Sequence, residues 1–222
     1  MLVLWHRLIA FGFRLLYNEL AWLYNPVSWI TSLGLWHAWQ WVALPYLLPG
    51  GTVLEVGCGP GHLLLGLAAS GCQPVGLDLS PAMLRQARRR LQRQGLALAL
   101  CQGRAQNLPY AAQAFDCVVL TFPTPFVYDP GWIGHLARVL KPSGRLVIVE
   151  TASFSKHTSV ERCLEGLYRA TGQRGLAPDL PALLGCAGLT AHREKIPVNG
   201  TFVSVILADK QPCEDYRTCT TL

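Results

Sequence analysis

The chain has 222 residues, of which 51% are hydrophobic and only 14% are charged, and it carries a formal net charge of +6. This composition excludes a disordered chain, and the length is that of one ordinary domain with short additions. The modest positive charge favours anionic surfaces or substrates without selecting between them. The eight cysteines include no Cys-x-x-Cys pair and no histidine partner at zinc spacing. We therefore expect reduced thiols in an intracellular protein, without a structural disulfide or a metal site.

Residues 1–48 hold six of the seven tryptophans. Apolar residues recur there at helical spacing, but Arg7, Arg14 and Glu19 interrupt the run, which argues against a membrane-spanning helix. Arg14 also argues against a cleavable signal sequence. We predict two helices that are separated by a break at Asn25-Pro26. The segment has three interpretations: a lid over the loop described next, a packed layer, or an aromatic anchor at a membrane surface.

The next stretch has the pattern of a strand, a glycine-rich turn and a helix. Thr52 to Val56 is a short apolar run that predicts a buried strand, and His62 to Ala69 predicts a helix. Between them lie Gly57, Gly59 and Gly61, and residues without a Cβ suit a sharp turn whose backbone approaches a ligand. Such a turn directs backbone N–H groups and the positive end of a helix dipole toward one point. We therefore predict a ligand-binding loop.

Two neighbours of this loop narrow the choice of ligand. Glu55 places a negative charge beside the loop, where it would repel a pyrophosphate and attract an ammonium group. His62 stands where a dinucleotide fingerprint that starts at Gly57 requires its third glycine. These residues argue against a nicotinamide oxidoreductase and predict a ligand that carries both charges.

A second strand, predicted at Gln73 to Leu79, brings a second acid to the same edge of the sheet. In a doubly wound sheet, an acid such as Asp78 at the tip of the second strand can accept both hydroxyls of a ribose. Ser80 has the features of a helix N-cap and Pro81 those of a first helical residue, so we expect Asp78 to be free for the ligand. The helix from Pro81 to about Gln94 carries five arginines. We interpret them as a solvated face, because no aromatic residues interleave with them as in a nucleic-acid surface.

The rest of the chain continues the alternation of strands and helices that predicts a mainly parallel sheet. Strands are predicted at Ala97 to Gly103, Phe115 to Thr121, Arg145 to Glu150, Leu189 to Ile196 and Thr201 to Ala208, and helices at Asp129 to Leu140, Val160 to Thr171 and Leu180 to Ala187. Lys141 to Gly144 reads as a turn, and Asn199-Gly200 as a hairpin turn. Phe122 to Tyr128 is aromatic and follows the fourth strand, at the edge where open α/β sheets bind ligands. We expect this segment to line an apolar acceptor.

Five motifs occur together in one order: Glu55 to Gly61, Gly76 to Ser80, Ala105 to Tyr110, Phe115-Asp116 and Arg138 to Gly144. They resemble the class I S-adenosylmethionine-dependent methyltransferases, within them the methyltransferase-11 group that includes quinone-biosynthesis C-methyltransferases. The resemblance covers roughly residues 52–150. It implies an α/β fold with a Rossmann-like, doubly wound sheet of seven strands, mostly parallel, that ends in an antiparallel hairpin. We expect an N-terminal Trp-rich helical lid or anchor (1–48), a methyltransferase domain (49–210) and a polar tail (211–222).

Carried over by position, the resemblance assigns cofactor contacts within this chain. S-adenosyl-L-methionine would contact Glu55, Gly57, Cys58, Gly59, Gly61, Asp78, Leu79, Met83, Ala105, Gln106 and Thr121. Of these, Glu55 would lie near the ammonium end, Asp78 would hold the ribose and Leu79 would pack on the adenine. The family often has an acid before Ala105, whereas this chain has Arg104, which offers only hydrogen-bond donors. The adenine amino group therefore needs an acceptor from elsewhere.

The resemblance implies methyl transfer by in-line displacement. We expect a small, lipophilic acceptor, lined by Tyr17, Tyr24, Phe122, Phe126 and Tyr128. We assign no catalytic residue, because transfer from a sulfonium needs a base only when the acceptor must lose a proton.

Two alternatives stay open at this point: an RNA methyltransferase, and a membrane-surface binding protein with a vestigial nucleotide fold. We expect a cytoplasmic protein with a small-molecule substrate and no nucleic-acid partner. Contact of the N-terminal aromatic helices with the inner face of the membrane stays open, as does the oligomeric state.

Overall fold

The computed structural model describes residues 2–155, 158–171 and 178–211, with side chains from residue 7 onward except at position 125. Apart from its first residue, the predicted tail at 211–222 lies outside these ranges. The α-helices are α1 (Leu2–Tyr17), α2 (Tyr24–Thr31), α3 (Trp36–Trp41), α4 (His62–Ala69), α5 (Pro81–Arg93), α6 (Pro130–Val139), α7 (Ser159–Ala170) and α8 (Leu180–Gly185). The strands are β1 (Thr52–Val56), β2 (Gln73–Asp78), β3 (Ala99–Gln102), β4 (Phe115–Thr121), β5 (Leu140–Phe154), β6 (Leu189–Val198) and β7 (Thr201–Lys210). Short 3-10 helices lie at Ala21–Leu23, Leu44–Tyr46 and Pro125–Tyr128.

The strands form one seven-stranded sheet in the order β3-β2-β1-β4-β5-β7-β6. The pairs β1–β2, β2–β3, β1–β4 and β4–β5 are parallel, and β7 pairs antiparallel with both β5 and β6. The strand order reverses between β1 and β4, so their carboxyl ends form the switch point at which open α/β sheets bind ligands. The predicted Rossmann-like fold with its antiparallel C-terminal hairpin is confirmed.

The two predicted turns have different outcomes. Asn199 has a φ of 44° and Gly200 a φ of 77°, and a two-residue hairpin turn of this kind requires such left-handed values at both positions. The turn predicted at residues 141–144 is wrong, because these residues lie inside β5, whose first residue pairs with Phe115. The register between β4 and β5 shifts between Phe115 and Cys117, so an irregular strand pair replaces the turn.

Apolar side chains fill both faces of the sheet, as expected for parallel strands that are covered by helices on each side. One core contains residues of α3, α4 and α5 with the strands, among them Trp39, Leu63, Leu67, Leu84, Val119 and Val147. The other contains residues of α6 and α8, among them Leu54, Val118, Trp132, Leu136 and Leu184. The sheet is therefore a buried platform, and its carboxyl edge carries the switch point.

The N-terminal helices pack against this platform as a layer. Trp39 is buried, and its indole Nε1 donates to Thr201 Oγ1 at 2.9 Å. The hydroxyl of Tyr168 donates to the carbonyl of Thr31 at 2.8 Å, which ties α7 to the end of α2. The predicted break at Asn25-Pro26 is wrong, because the chain breaks between α1 and α2 and Pro26 lies in the first turn of α2. Proline is tolerated in the first turn of a helix, because the backbone N–H that it lacks would have no partner within the helix at that position.

The surface of this layer is rich in exposed apolar side chains. Among the described residues, ten of the fourteen exposed large hydrophobic side chains lie before residue 49. None of the helices in the described ranges has both the length and the apolar character to cross a membrane. The six cysteines that the structure describes are free thiols, and Cys58, Cys72 and Cys117 among them are buried.

Candidate active site

The predicted ligand-binding loop joins β1 to α4 at the carboxyl edge of the sheet. Gly57 (φ 76°) and Gly59 (φ 51°) adopt left-handed conformations, and a Cβ at either position would meet nothing within 4 Å. Both residues therefore border open space. A Cβ at Gly61 would lie 3.0 Å from the Cβ of Ala87 on α5. Gly61 therefore permits close packing of the loop on α5, while its predicted contact with a cofactor stays a prediction.

The backbone N–H groups of this loop are largely used within the protein. Those of Gly57 and Cys58 donate to the carbonyl of Leu77 at 2.7 and 3.0 Å, and that of Gly61 donates to the carbonyl of Cys58 at 2.9 Å. The N–H of Gly59 donates to a carboxylate oxygen of Asp78 at 2.8 Å. The expectation that these groups point free at a ligand is wrong, because the loop folds back onto the end of β2.

Two carboxyl groups lie together beside the loop. Glu55 is only 1% exposed, and its Oε2 has no hydrogen-bond partner. Burial raises the pKa of Glu55 well above its usual range, and the charge of Asp78 raises it further. Burial also raises the pKa of Asp78, against the effect of the N–H groups of Ser80 and Gly59, which each donate to one of its oxygens at 2.8 Å. Asp78 is therefore not free as predicted, although each oxygen keeps a further lone pair for a ligand hydroxyl.

This acid pair fits the cofactor that the sequence predicts. A buried carboxylate oxygen without a partner costs free energy, and an ammonium group would supply the missing donor. Ribose hydroxyls can donate to the oxygens of Asp78 that already accept one N–H each. The open space that borders Gly57 and Gly59 leaves the loop backbone accessible to a ligand. The residues present therefore suit S-adenosylmethionine, which has both groups.

The residues predicted around the adenine are spread along the start of α5 and the segment after β3. Leu79 is 60% exposed, so its side chain is available to pack on a flat ring, whereas Met83 is buried. Ala105 is half-buried, and Gln106 and Arg104 are exposed. Leu79, Met83, Ala105 and Gln106 stay predictions as cofactor contacts.

Ser80 joins this region to the N-terminal layer. Its hydroxyl accepts from the N–H of Met83 at 3.2 Å, which confirms the predicted N-cap of α5. The same hydroxyl donates to the carbonyl of Tyr17 at 2.5 Å, at the end of α1. One side chain thus holds the start of α5, next to Asp78, against the last residue of α1.

A row of aromatic rings runs from α1 to the end of β4. The ring centroids of Tyr17 and Tyr24 are 5.8 Å apart, those of Tyr24 and Trp36 are 6.3 Å apart, and Trp36 stacks on Phe122 at 4.6 Å. Burial, followed by the charge of Asp78, raises the pKa of Tyr17 to about 12. Burial also raises the pKa of Tyr24. Both phenols are therefore neutral at physiological pH and can donate hydrogen bonds near the acids.

The structure divides the predicted acceptor-lining aromatics between two faces of the sheet. Phe122 packs with the core that contains Trp39, whereas Phe126 and Tyr128 pack with the core that contains Trp132. Phe122 has a φ of 49°, a left-handed value that turns the chain sharply after β4. Phe126 and Tyr128 are therefore not brought together with Tyr17, Tyr24 and Phe122, because the chain crosses to the other face. All five stay predictions as acceptor contacts.

A cleft of about 460 Å³ lies between the N-terminal helices and the start of α4. It is lined by Asn25, Pro26, Ser28, Trp29, Ile30, Gly34, Trp36, His37 and His62. His62 Nε2 lies 2.9 Å from Asn25 Oδ1, and the rings of His37 and His62 are 4.0 Å apart. Burial, then the charges of Arg90 and His37, lowers the pKa of His62 to about 3, so this ring is neutral at physiological pH.

The sequence analysis missed this cleft, although it considered His62 as part of the loop. The only local sign was a histidine at the first position of a helix that follows a glycine turn. Its partner Asn25 lies 37 positions away along the chain, in a segment whose docking follows from tertiary packing.

A seven-stranded sheet of this order, with acids at the ends of β1 and β2 beside a glycine loop, defines a class I methyltransferase fold. A family model described as a methyltransferase domain matches residues 53–144. The crystal structure of YcgJ from Bacillus subtilis superposes with a TM-score of 0.62 and 18% identity, over 79% of this chain and 99% of that chain. Phosphoethanolamine N-methyltransferase 2 of Haemonchus contortus, with phosphomonomethylethanolamine and S-adenosylhomocysteine, superposes with a TM-score of 0.60 and 15% identity, over 79% of this chain and 52% of that chain. At these identities the likeness shows a shared fold.

Sequence relatives identify the family. The ubiquinone/menaquinone biosynthesis C-methyltransferase UbiE of Syntrophotalea carbinolica is 31% identical over 202 residues, which are 87% of this chain and 83% of that protein. A demethylmenaquinone methyltransferase of Symbiobacterium thermophilum is 32% identical over 148 residues, 63% of this chain and 59% of that protein. The chain thus spans about three fifths of the latter protein's length. The chain belongs to the S-adenosylmethionine-dependent methyltransferases, in the family that includes the quinone-biosynthesis C-methyltransferases.

Proposed function

We propose that the protein transfers a methyl group from S-adenosylmethionine to a small, lipophilic acceptor. The observation that supports this most is the acid pair of buried Glu55 and half-buried Asp78, which lies beside the glycine loop at the switch point of the sheet. Glu55 would hold the ammonium end of the cofactor, Asp78 the ribose hydroxyls, and Leu79 one face of the adenine. When bound, the cofactor supplies an activated methyl group on a positively charged sulfur.

For the acceptor we propose a demethylated quinone or a similarly lipophilic ring. The relatives described above carry names from quinone biosynthesis, and the cleft beside the loop has an apolar lining that would accept such a ring. Trp29, Ile30 and Trp36 are among the apolar residues of that lining, and the amide nitrogen of Asn25, whose Oδ1 lies 2.9 Å from His62 Nε2, could donate to a ring oxygen. Cavities of this size and character commonly hold small ligands.

The chain's own residues would act by binding, orienting and excluding water. The row of rings from Tyr17 to Phe122 would close the site on one side, and the neutral phenols would keep it uncharged apart from the acids. Holding an acceptor in line with a methyl donor can supply roughly 7 to 11 kcal/mol of a barrier. His62 is a weak base, because its pKa is lowered to about 3. Positioning is therefore the larger contribution that we propose for this chain.

The RNA alternative has no support in the arrangement of α5. Arg85, Arg88, Arg89 and Arg93 are exposed, as the predicted solvated face requires. Arg90 instead donates to the carbonyl of Pro60 and so braces the glycine loop. The vestigial-site alternative is disfavoured, because a buried carboxyl oxygen without a partner, such as Glu55 Oε2, is destabilising, and a donor from a ligand would relieve that cost.

A contact with a membrane surface is the second part of this proposal. Trp22, Trp29 and Ile30 are 68%, 65% and 58% exposed, and Trp29 and Ile30 also line the cleft. Tryptophan at the surface of a basic protein suits the interface of an anionic bilayer. A lipophilic acceptor could then pass from the bilayer to the cleft without crossing water.

Sedimentation with anionic lipid vesicles tests this contact. The variant Trp29→Ser with Ile30→Ser is expected to bind vesicles at least tenfold more weakly than wild type, because two large apolar side chains leave the interface. The matched control is Val160→Ser with Leu167→Ser, two exposed residues of α7 that are far from the cleft in sequence and not part of its lining. Equal vesicle binding by wild type and both variants would remove the membrane contact from the proposal.

Methyl transfer itself is tested with methyl-labelled S-adenosylmethionine and a demethylated quinone in detergent. We expect label to enter the organic phase with wild type and to fall by tenfold or more with Asp78→Ala. Label that stays in the aqueous phase with wild type, while the protein binds the cofactor, would contradict the acceptor class. Failure to bind the cofactor would contradict the methyltransferase proposal as a whole.

A further inference from the structure

One buried polar atom near the proposed cofactor site belongs to a residue that the sequence analysis did not single out. Gln40, on α3, is 8% exposed. Its Nε2 donates to the hydroxyl of Thr121 at 3.1 Å, but its Oε1 has no hydrogen-bond partner. A buried acceptor without a donor is destabilising, and native structures rarely retain one without a reason. The amide of Gln40 is therefore a candidate to meet a ligand.

Contacts of α3 and of the side chain itself fix the position of the Gln40 amide. Trp36 of the same helix stacks on Phe122, and Trp39 donates to Thr201, so α3 is held over the end of β4 and the start of β7. The hydrogen bond to Thr121 holds the amide itself. Because α3 is anchored at two tryptophans, Gln40 cannot satisfy its oxygen by moving into solvent without breaking these contacts.

The second unpaired oxygen in this part of the structure belongs to Glu55, on the same face of the sheet. Glu55 pairs with Val119 in the parallel ladder of β1 and β4, and Thr121 lies two residues beyond Val119. Side chains at alternate positions of a strand share a face, so Glu55, Val119 and Thr121 project to the same side. The register that pairs Val56 with Leu120 brings Thr121 beside the start of the glycine loop. Two acceptors without donors are thus placed at the joined ends of β1 and β4.

We propose that Gln40 Oε1, together with the Glu55 carboxylate, accepts hydrogen bonds from the ammonium group at the amino-acid end of S-adenosylmethionine. An ammonium group has three N–H donors, and it pairs with neutral amide oxygens as well as with carboxylates. Gln40 is then a positioning residue for the methyl donor, and it links the N-terminal layer to the cofactor. This inference rests on the proposed function, because it names a further contact of the same site.

Ligand analogues separate this role from a merely structural one. Calorimetry would use S-adenosylhomocysteine, its deamino analogue and its decarboxylated analogue, with wild type, Gln40→Met and Gln40→Glu. Methionine has a similar length without the amide, and glutamate keeps an acceptor oxygen. We expect Gln40→Met to bind S-adenosylhomocysteine and the decarboxylated analogue about tenfold or more weakly than wild type, because a hydrogen bond to a charged group is lost. The affinity of Gln40→Met for the deamino analogue should lie within twofold of the wild-type affinity for that analogue. Gln40→Glu should keep the wild-type affinity for S-adenosylhomocysteine.

Other results overturn the inference in distinguishable ways. An equal loss of affinity for all three ligands would mean that Gln40 only supports the packing of α3, and no loss for any ligand would mean that its oxygen contacts none of them. Gln92→Met, on the exposed side of α5, is the control for a glutamine substitution that should change nothing. Absence of binding by wild type would remove the proposed function itself, whereas wild-type binding with an unselective Gln40→Met removes this inference alone.

Discussion

Replacing Glu55 by glutamine is expected to stabilise the ligand-free protein and to weaken cofactor binding. The carboxyl group is buried, its pKa is raised by burial and by Asp78, and one of its oxygens has no partner. The folded state therefore keeps a proton that the unfolded chain loses above the ordinary pKa of 4.5. The free energy of unfolding falls as the pH rises from 4.5 through the folded-state pKa, and it stays lower above that value.

The size of the stabilisation by Glu55→Gln follows from the difference between the folded-state and unfolded-state pKa values of Glu55. Each pH unit between the two pKa values corresponds to about 1.4 kcal/mol, and at pH 7 the difference from the ordinary value of 4.5 limits the cost to about 3 kcal/mol. Glu55→Gln should therefore raise the free energy of unfolding at pH 7 by about 1 to 3 kcal/mol. It should also weaken binding of S-adenosylhomocysteine by about tenfold or more, because a charged acceptor is lost.

Urea unfolding at several pH values and calorimetry measure these two effects. With wild type, affinity for S-adenosylhomocysteine should rise with pH above the ordinary range of a glutamate as Glu55 ionises, and this part of the rise should be absent in Glu55→Gln. The matched control is Glu150→Gln, since Glu150 is paired with Arg193 and accepts from Ser204. That substitution should lower stability and leave ligand affinity unchanged. A less stable Glu55→Gln variant, or one with unchanged affinity, would refute the reasoning about this acid.

Three further substitutions test the surroundings of the site. Ser80→Ala should lower the free energy of unfolding by about 1 to 2 kcal/mol in urea unfolding, because it removes the N-cap of α5 and the hydrogen bond to α1. The control Ser70→Ala removes an exposed hydroxyl and should lower the free energy of unfolding by less than about 0.5 kcal/mol. Gly61→Ala should lower the free energy of unfolding by about 1 to 3 kcal/mol more than Gly71→Ala. Both glycines have a positive φ, but of the two only Gly61 lies against another helix, at Ala87 of α5. Equal losses of stability would contradict this packing role of Gly61. The pKa of His62 is lowered to about 3, so its folded form stays neutral while the unfolded chain takes up a proton below about pH 6.5. His62→Gln should therefore reduce the fall in unfolding free energy between pH 6.5 and 3, and an unchanged pH dependence would contradict a buried neutral ring.

The sheet could be predicted from the sequence because its signals are local. Apolar runs at Thr52–Val56 and Phe115–Thr121 agree with the observed strands, and Asn199-Gly200 forms the hairpin turn that its residue types favour. The acids Glu55 and Asp78 could be found for the same reason, since each stands at a strand end next to glycine or an N-cap. The sequence could not predict which hydrogen-bond partners the two carboxyl groups have in the folded protein.

The parts that depend on long-range contacts were missed. One oxygen of Asp78 accepts from the N–H of Gly59, which is 19 positions away and which a strand-end pattern does not specify. The neighbours Gln40 and Thr121 are 81 positions apart, and no periodicity in either segment marks them as partners. Phe126 was assigned to the same wall as Phe122, because sequence proximity gives no information on the left-handed turn that sends them to opposite faces.

Calorimetric titration of the purified protein with S-adenosylhomocysteine tests the cofactor site most directly, with wild type and Asp78→Ala compared under the same conditions. We expect micromolar affinity for wild type, a binding free energy of about −8 kcal/mol, and a loss of about tenfold or more in the variant. Circular dichroism of the variant would establish that it is folded, because Asp78 also accepts from two backbone N–H groups. Absence of binding by wild type at millimolar ligand would contradict the assignment of Glu55 and Asp78 to a cofactor site.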